Sequence, residues 1–388
     1  MRPGDVLSVI RRSGGITRNQ LMAQTGLGRS TVALRVEALL AHDLIREEAG
    51  TTSTGGRPPT TIVFNPSAAL ILAADLGATH SRLALTDLSG APLHDERGDI
   101  RIDEGPDAVL GWVGERFAAM LQAAGRSADE VGAIGVGVPG PVEFMTGQPV
   151  SPPIMPGWDR FAIPARLQER FAVPVLVDND VNIMALGEHL KSWPQTSDML
   201  YVKVGTGIGC GIITGREIYR GAEGAAGDIG HIRLPDHDDV VCECGNVGCL
   251  EAVAGGRALI RASRALGREV TSSRDVVALV RAHDLETVRL VRQAGRDLGE
   301  VLAGLVNALN PEVIVIGGDI AAAHEQLFAG IREVVYQRST ALATRKLQIV
   351  PSQLDDRAGV VGAAGMASEH LLSPEELDAR VAGEWLTA

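Results

Sequence analysis

The chain has 388 residues, of which 45% are hydrophobic and 22% are charged, a composition that is typical of a soluble globular protein and excludes a largely disordered one. At roughly 100–200 residues per domain, this length predicts two or three domains. The sequence contains no apolar run of the roughly 18–20 residues that a membrane-spanning helix needs, and its start lacks the apolar segment of a secretory signal. We therefore expect a cytoplasmic protein that does not act at a membrane.

Charge is distributed unevenly along the sequence. The formal net charge is −12, yet residues 1–66 contain eight Arg and five acidic residues and so carry +3. A basic segment joined to an acidic body indicates a small module that binds a polyanion such as DNA. With 6 Phe, 4 Trp and 3 Tyr, the chain has too few aromatic residues to stack single-stranded bases.

Residues 1–66 show the pattern of three helices followed by two short strands. The first helix ends at Ser13, and Thr17 and Gln20 form a capping box that begins the second helix. Gly26 suits the turn after the second helix, and the third helix begins near Gly28. Its buried face combines residues at helical spacing, namely Val32, Val36, Leu39 and Leu40. The two strands are predicted at Leu44–Arg46 and Thr61–Phe64.

This order of elements is that of a winged helix-turn-helix. Two helices joined by a tight turn place the second of them in the major groove of DNA, and the loop between the two strands would be the wing, which reaches a phosphate or the minor groove. The predicted DNA contacts lie at the start of the third helix and in the wing: Arg29, Ser30, Thr31, Arg35 and Arg57. The alternative is a helical docking domain whose arginines are only solvated.

Two glycine-rich turns follow predicted strands in the acidic body. The first contains Asp75, Gly77 and Thr79, whose backbone N–H groups and hydroxyl suit a phosphate, and Asp75 could hold a metal–phosphate complex through water. A plain hairpin is the alternative there. The second turn, Gly205–Gly211, has alternate glycines, which usually indicate that a ligand approaches the backbone closely. No helix pattern follows it, so a Rossmann motif is excluded.

Two further segments indicate a ligand site between two lobes. An apolar strand, Val313–Ile316, ends at Gly317-Gly318, and this turn together with the two phosphate-type turns is typical of two-lobed actin-like ATPases. Another apolar strand ends in Asp178-Asn179-Asp180-Val181-Asn182, at the end of a strand where α/β proteins bind ligands. Asp180 could accept the proton of a sugar hydroxyl as a general base. The alternative is a cap for the helix that follows, and one residue can serve both purposes.

Three of the four cysteines fall within eight residues, at Cys242, Cys244 and Cys249, and His231 lies eleven residues before the first of them. Three thiolates and an imidazole are a closed tetrahedral ligand set for a structural zinc ion. A disulfide is the alternative, but a cytoplasmic compartment disfavours it and one cysteine would remain unpaired. Cys210 is interpreted as an ordinary buried thiol.

Together these motifs resemble the ROK family (repressors, open reading frames, kinases), in its DNA-binding regulator branch, over nearly the whole chain. The motifs that carry the resemblance are Asp75-x-Gly77-x-Thr79, Asn179-Asp180-x-Asn182, the Gly205–Gly211 loop, Gly227-Asp228-Ile229-Gly230-His231 and Cys242-x-Cys244-Gly-x-x-Gly-Cys249-x-Glu251. The resemblance implies an α/β protein with an actin-like/ribonuclease-H-like two-lobed sugar-kinase fold, preceded by an all-α winged helix-turn-helix domain. It implies domains at 1–66, 67–182 and 183–388, the last with the zinc motif and a C-terminal helix that returns to the first lobe.

By position, the resemblance also implies site residues in the interdomain cleft. The implied sugar contacts are Asn179, Asp180, Asp228, His231 and Glu251, with Asp180 as the catalytic base if the protein is a kinase. The implied nucleotide contacts, if Mg-ATP binds, are Asp75, Gly77, Thr79, Gly205, Thr206, Gly207, Gly209 and Gly317. Two positions depart from the family's kinases, which usually have a second glycine where Ala78 stands and Glu where Asp228 stands.

Three functions compete at this point. The first is a sugar-responsive regulator, which we expect to be a repressor that binds a double-stranded operator as a homodimer or homotetramer. A sugar or sugar-phosphate effector would change the spacing of its DNA-binding domains. The second is an ATP-dependent sugar kinase with an appended DNA-binding arm. The third, a zinc-stapled scaffold, leaves the polar residues of the cleft unexplained.

Overall fold

The computed structural model describes residues 1–49, 60–78, 80–323 and 325–381. Two of the predicted contact residues, Arg57 and Thr79, lie outside the described residues. No helix in the described part of the chain is both long enough and apolar enough to span a membrane.

The N-terminal part contains three helices and a small sheet. Its elements are α1 (Pro3–Ser13), β1 (Ile16–Thr17), α2 (Arg18–Thr25), α3 (Arg29–Ala41), β2 (Ile45–Ala49) and β3 (Thr60–Phe64). The predicted capping box is confirmed, because the Gln20 amide donates to the Thr17 hydroxyl at 3.3 Å and the Gln20 side-chain oxygen accepts from the Thr17 amide at 2.9 Å. Gly26 ends α2 in the left-handed region, with φ of 71°.

The prediction of an all-α N-terminal domain is wrong in one respect. The described strands form a three-stranded antiparallel sheet in the order β1-β3-β2, so this part of the chain is mixed. The hairpin of β2 and β3 agrees with the two predicted strands, whereas β1 was missed. A two-residue strand has no alternation to recognise, and it forms only because Ile16 and Thr17 pair with Ile62 and Thr61 of β3.

The body of the protein contains two five-stranded sheets. The first part of it comprises β4 (Leu70–Leu76), β5 (Ser81–Asp87), β6 (Pro92–Gly98), α4 (Pro106–Ala123), β7 (Val131–Val138), β8 (Val142–Glu143), β9 (Gln148–Pro149), α5 (Ile163–Gln168), β10 (Val175–Asn179) and α6 (Asp180–Ser192). The second part comprises β11 (Met199–Val204), β12 (Ile208–Thr214), β13 (Glu217–Ile218), α7 (Leu250–Ala254), α8 (Gly256–Ala265), α9 (Ser273–Arg281), α10 (Leu285–Leu309), β14 (Val313–Gly317), α11 (Glu325–Arg338), α12 (Ala341–Thr344), β15 (Gln348–Pro351), α13 (Ala358–Leu371) and α14 (Pro374–Val381).

The two sheets have the same topology. In the first the strand order is β6-β5-β4-β7-β10, and in the second it is β13-β12-β11-β14-β15. In each, the first three strands of the sheet pair antiparallel and the remaining two are added in parallel. This duplication is the ribonuclease-H-like, actin-like architecture that the sequence predicts.

Helices α6 and α13 pack against each other between the two sheets. Helix α13 lies on β4 and β7 of the first sheet, while α6 lies on β11 and β12 of the second. The two helices approach closely because glycines face each other where they cross, at Gly187 and Gly362. The pair therefore connects the two lobes through one tightly packed interface.

Helix α13 and the helix after it, α14, connect the body to the N-terminal part. Helix α14 packs on α1, where the Gly4 amide donates to Asp378 Oδ1 at 3.1 Å. Arg11 of α1 pairs with Glu369 of α13 at 2.6 Å. Buried side chains of α1 and α13 belong to one continuous hydrophobic cluster, which includes Leu7 and Leu371. Helix α1 is thus packed onto α14 and paired with α13, so the N-terminal part is not held to the body by a linker alone.

Candidate functional site

A cleft of about 780 Å³ separates the two lobes. It is lined by all five predicted sugar contacts, Asn179, Asp180, Asp228, His231 and Glu251. It is also lined by the predicted nucleotide contacts that the structure describes, Asp75, Gly77, Gly205, Thr206, Gly207, Gly209 and Gly317. Residues spread over more than 240 positions of the sequence are therefore brought to one cavity, which is large enough for a small ligand.

The start of α6 separates two roles that the sequence left open. Asn179 is the helix cap, because its Oδ1 accepts from the Val181 amide at 2.9 Å while its Nδ2 donates to the Gly140 carbonyl at 2.8 Å. Asp180 is the first helical residue, is 5% exposed and lines the cleft. The carboxylate of Asp180 thus faces the cleft and leaves the capping of α6 to Asn179, whose amide is engaged within the protein.

Asp180 forms an ion pair that the sequence analysis missed. The ammonium Nζ of Lys203, on β11, lies 2.6 Å from Asp180 Oδ2. Burial alone would lower the pKa of Lys203, but the neighbouring carboxylates of Asp180 and Asp75 raise it above its ordinary value. Lys203 is therefore a resident cation of the cleft. The only signal in the sequence was a lysine within an apolar strand, two residues before Gly205.

A second missed ion pair lies beside the first. Arg220 Nε donates to Asp178 Oδ2 at 2.8 Å, and its guanidinium stacks 3.7 Å from the centre of the Phe144 ring. The other oxygen of Asp178 accepts from Asn182 Nδ2 at 2.8 Å. The Asp-Asn-Asp-x-Asn motif is therefore held by an arginine that follows β13 in the second sheet, so two ion pairs connect the lobes at the start of α6.

Asp75, at the end of β4, is the third carboxylate at this end of the cleft. It is 7% exposed, and burial raises the pKa of its carboxyl to about 7, with a smaller opposing effect from Lys203. Among the described residues its Oδ1 has no hydrogen-bond partner. On the other side its Oδ2 would lie 2.0 Å from a Cβ at Gly359, so the first turn of α13 is packed directly onto it.

The four predicted zinc ligands come together in the structure. The ligand atoms of His231, Cys242, Cys244 and Cys249 all lie within 4.8 Å of one another and could hold a metal ion. The sulfurs of Cys244 and Cys249 are 3.7 Å apart, which is close to the ~3.8 Å edge of a tetrahedron whose metal–sulfur bonds are ~2.3 Å. A disulfide would need ~2.05 Å. The donor set therefore fits a tetrahedral metal.

The metal cluster is continuous with the cleft. His231 Nδ1 lies 3.7 Å from Cys242 Sγ, whereas its Nε2 lies 3.8 Å from Asp228 Oδ1. One ring nitrogen therefore faces the cysteines and the other faces a predicted sugar contact. Glu251, two residues after Cys249, places its Oε1 3.7 Å from Cys242 Sγ. His231 can thus serve both predicted roles at once.

Close contacts within the protein explain why two of the alternate glycines, predicted to allow close approach of a ligand, must be glycine. A Cβ at Gly207 would lie 2.5 Å from Glu251 Oε2, and a Cβ at Gly211 would lie 2.6 Å from the Val181 carbonyl oxygen. These glycines therefore make room for Glu251 and for helix α6. At Gly205 and Gly209 a Cβ would make only ordinary van der Waals contacts of 3.5 Å. The packing of the protein itself therefore does not require glycine at these two positions.

The residues predicted to contact DNA are only partly exposed. Arg29 and Ser30, at the start of α3, are exposed, whereas Thr31 and Arg35 are half-buried. Leu34, which was not among the predicted contacts, is 59% exposed on this helix. Val32, Val36 and Leu39 of the predicted buried face of α3 are buried, whereas Leu40, the fourth predicted residue, is half-buried.

Comparison with known proteins gives a consistent assignment. The ROK family model matches residues 71–370. A protein named putative xylose repressor, from Caldicellulosiruptor sp. (strain Rt8B.4), is 32% identical over 95% of both chains. A protein named glucokinase, from Halalkalibacterium halodurans, is 30% identical over 78% of this chain and 96% of its own length.

Among solved structures, a ROK family transcriptional regulator described as a homologue of the E. coli MLC protein has a TM-score of 0.84 and 28% identity, and the match covers 98% of both chains. The match with the xylose repressor also extends well beyond the family model at the N-terminal side, as its 95% coverage requires. The chain belongs to the ROK family.

Proposed function

We propose that this protein is a sugar-responsive transcription regulator, acting as a repressor of carbohydrate genes, with a sugar or sugar-phosphate effector in the cleft. The observation that carries the proposal is that α1 packs on α14 and pairs with α13 through Arg11 and Glu369, while the first turn of α13 contacts Asp75 in the cleft. Helix α13 thus contacts both the effector site and the N-terminal part. The similarity over nearly the whole chain to a protein named putative xylose repressor and to a ROK family transcriptional regulator supports this function.

The N-terminal part serves as a winged helix-turn-helix in this proposal, with α3 in the major groove of an operator. Arg29 and Ser30 are exposed at the N-terminal end of α3, where side chains reach base edges and phosphates. The proposed domains are residues 1–66, 67–182 and 183–388. Operators of such proteins contain two half-sites, so the proposed active form is a homodimer or a homotetramer.

The proposed metal is a structural zinc ion held by His231, Cys242, Cys244 and Cys249. Three thiolates and an imidazole leave no open position for catalysis, so the ion stabilises the fold. Its role would be to fix the loop that carries His231 and Glu251 at the edge of the cleft, because both residues lie beside Cys242 Sγ, at 3.7 Å.

DNA binding is testable with one arginine. We expect Arg29→Ala to weaken binding to DNA from upstream of the protein's own gene by roughly tenfold and to reduce the salt dependence of binding, because a cationic contact to the duplex is lost. Fluorescence anisotropy at several salt concentrations measures both effects. Arg289→Ala, which removes an exposed arginine of α10, is the control. Equal binding by Arg29→Ala and the wild type would refute the assignment of α3.

A sugar kinase is the second candidate, and two observations favour it. Asp180 lines the cleft together with residues of the Gly205–Gly211 loop, and the relative named glucokinase aligns with 78% of this chain. The ion pair between Asp180 and Lys203 counts against it, because the carboxylate oxygen is already occupied. ADP release with Mg-ATP and a sugar panel, abolished by Asp180→Asn, would establish the kinase.

A further inference from the structure

Lys203 is paired with Asp180, the carboxylate that is predicted to receive a proton from a sugar hydroxyl. Its strand, β11, belongs to the second sheet, whereas Asp180 begins α6 directly after the last strand of the first sheet. The Lys203 ammonium reaches across the cleft to within 2.6 Å of Asp180 Oδ2, and the two side chains are 23% and 7% exposed. The space beside this oxygen is therefore filled by protein.

The Lys203 ammonium lies where the hydroxymethyl group of a bound hexose would be expected. A sugar that is bound for phosphoryl transfer must place its acceptor hydroxyl against Asp180 and point it toward the phosphate loop. In an aldohexopyranose the hydroxyl that extends furthest from the ring is the exocyclic hydroxymethyl group, and the corresponding aldopentopyranose has only hydrogen there. Lys203 approaches Asp180 from the strand that leads into the Gly205 loop, so a hydroxymethyl group that points from Asp180 toward this loop would meet the ammonium.

Displacing the ammonium would be costly. Lys203 is the counter-charge of Asp180, and the charge of Asp75 also acts on it. Separating a buried ion pair leaves an uncompensated charge in a low-dielectric site. A ligand with a hydroxymethyl group at this point must either break the pair or shift its ring away from the remaining contacts.

We propose that Lys203 selects aldopentoses over the matching aldohexoses by occupying the hydroxymethyl position at Asp180. The inference rests on the proposed function, since it requires a sugar ring in this cleft, and it specifies the class of that sugar.

The test uses two pairs of sugars that differ only in the hydroxymethyl group, D-xylose with D-glucose and L-arabinose with D-galactose. Calorimetric titration of the full-length, metal-loaded protein gives the ratio of hexose to pentose dissociation constants within each pair. We expect the wild type to favour the pentose by at least about tenfold in the pair whose ring stereochemistry fits, the scale on which binding sites discriminate one additional carbon. The Lys203→Ala variant is expected to lower that ratio at least about tenfold.

Lys203→Met is the matched variant, because it keeps the length of the side chain and removes its charge. Its ratio should lie between those of the wild type and of Lys203→Ala, because the side chain still fills the space whereas the ion pair that resists displacement is lost. The ratio within a pair cancels any general loss of folding or affinity, so a merely structural role of Lys203 would not change it.

Two results would overturn the inference while leaving the proposed function intact: a wild type that binds the hexose of the fitting pair as well as the pentose, or a Lys203→Ala ratio equal to that of the wild type. If the wild-type protein binds none of the four sugars, their phosphates or larger carbohydrates, the sugar-responsive function itself fails, and the inference fails with it. If both variants unfold, the wild-type ratio alone decides.

Discussion

Replacing Cys249 by alanine is expected to abolish metal binding and, with it, sugar binding. Cys249 is 1% exposed, contributes a sulfur to the cluster and caps helix α7, which carries Glu251. Because metal-binding free energy is folding free energy in a site of this kind, the loop from His231 to Glu251 should lose its fixed structure. Elemental analysis should find about one zinc per wild-type chain, consistent with one four-ligand site, and far less in the variant, with a lower thermal unfolding temperature.

Cys210→Ala is the control for this experiment. Cys210 is equally buried, at 1% exposure, but lies outside the ligand cluster, and burial raises the pKa of its thiol to about 12, as befits an inert core cysteine. The control should keep its zinc and its thermal unfolding temperature within a few degrees of the wild type's. A Cys249→Ala protein with a full complement of metal, or with unchanged sugar affinity, would contradict the assigned role of the cluster.

The second large effect is expected at the crossing of α6 and α13. A Cβ at Gly362 would lie 1.7 Å from the Ile183 carbonyl oxygen and 2.8 Å from the Gly187 amide nitrogen. Backbone atoms in two packed helices cannot move apart locally, so Gly362→Ala should lower the free energy of unfolding by about 3 kcal/mol or more. Urea denaturation monitored by circular dichroism measures this loss.

Gly304→Ala in α10 is the matched control. A Cβ there would meet no atom of the described residues within 4 Å, so the substitution should be neutral or should stabilise the helix by up to about 1 kcal/mol. The same glycine-to-alanine change should therefore lower the free energy of unfolding at Gly362 and should not lower it at Gly304. A Gly362→Ala variant as stable as the wild type would show that the two helices are not held as closely as the structure indicates.

The features that local sequence determines were predictable. The Thr17–Gln20 capping box, the turn at Gly26 and the buried face of α3 depend on residues a few positions apart, and the structure agrees with each of them. The cluster of His231 with the three cysteines was predictable for another reason. A structural zinc ion needs cysteine and histidine side chains within bonding distance of one point. A cluster of these residue types in the sequence therefore predicts that they lie close together.

The features that depend on tertiary packing were not predictable. The pairs of Lys203 with Asp180 and of Arg220 with Asp178 join different sheets, and no local pattern indicates which cation reaches which carboxylate. For the same reason Gly207 and Gly211 were attributed to a ligand, although a side chain and a helix of the protein occupy the space beside them. Their neighbours are distant in sequence, and only the fold identifies them.

In the proposed function, the occupancy of the cleft and the affinity for DNA are linked through α13. The direct measurement is a thermodynamic cycle on the zinc-loaded protein: the dissociation constant for operator DNA with and without the effector sugar, and the dissociation constant for the sugar with and without DNA. We predict that the sugar weakens DNA binding by roughly 5- to 150-fold and that DNA weakens sugar binding by the same factor, as linkage requires. Affinities that do not change in either direction would contradict the account.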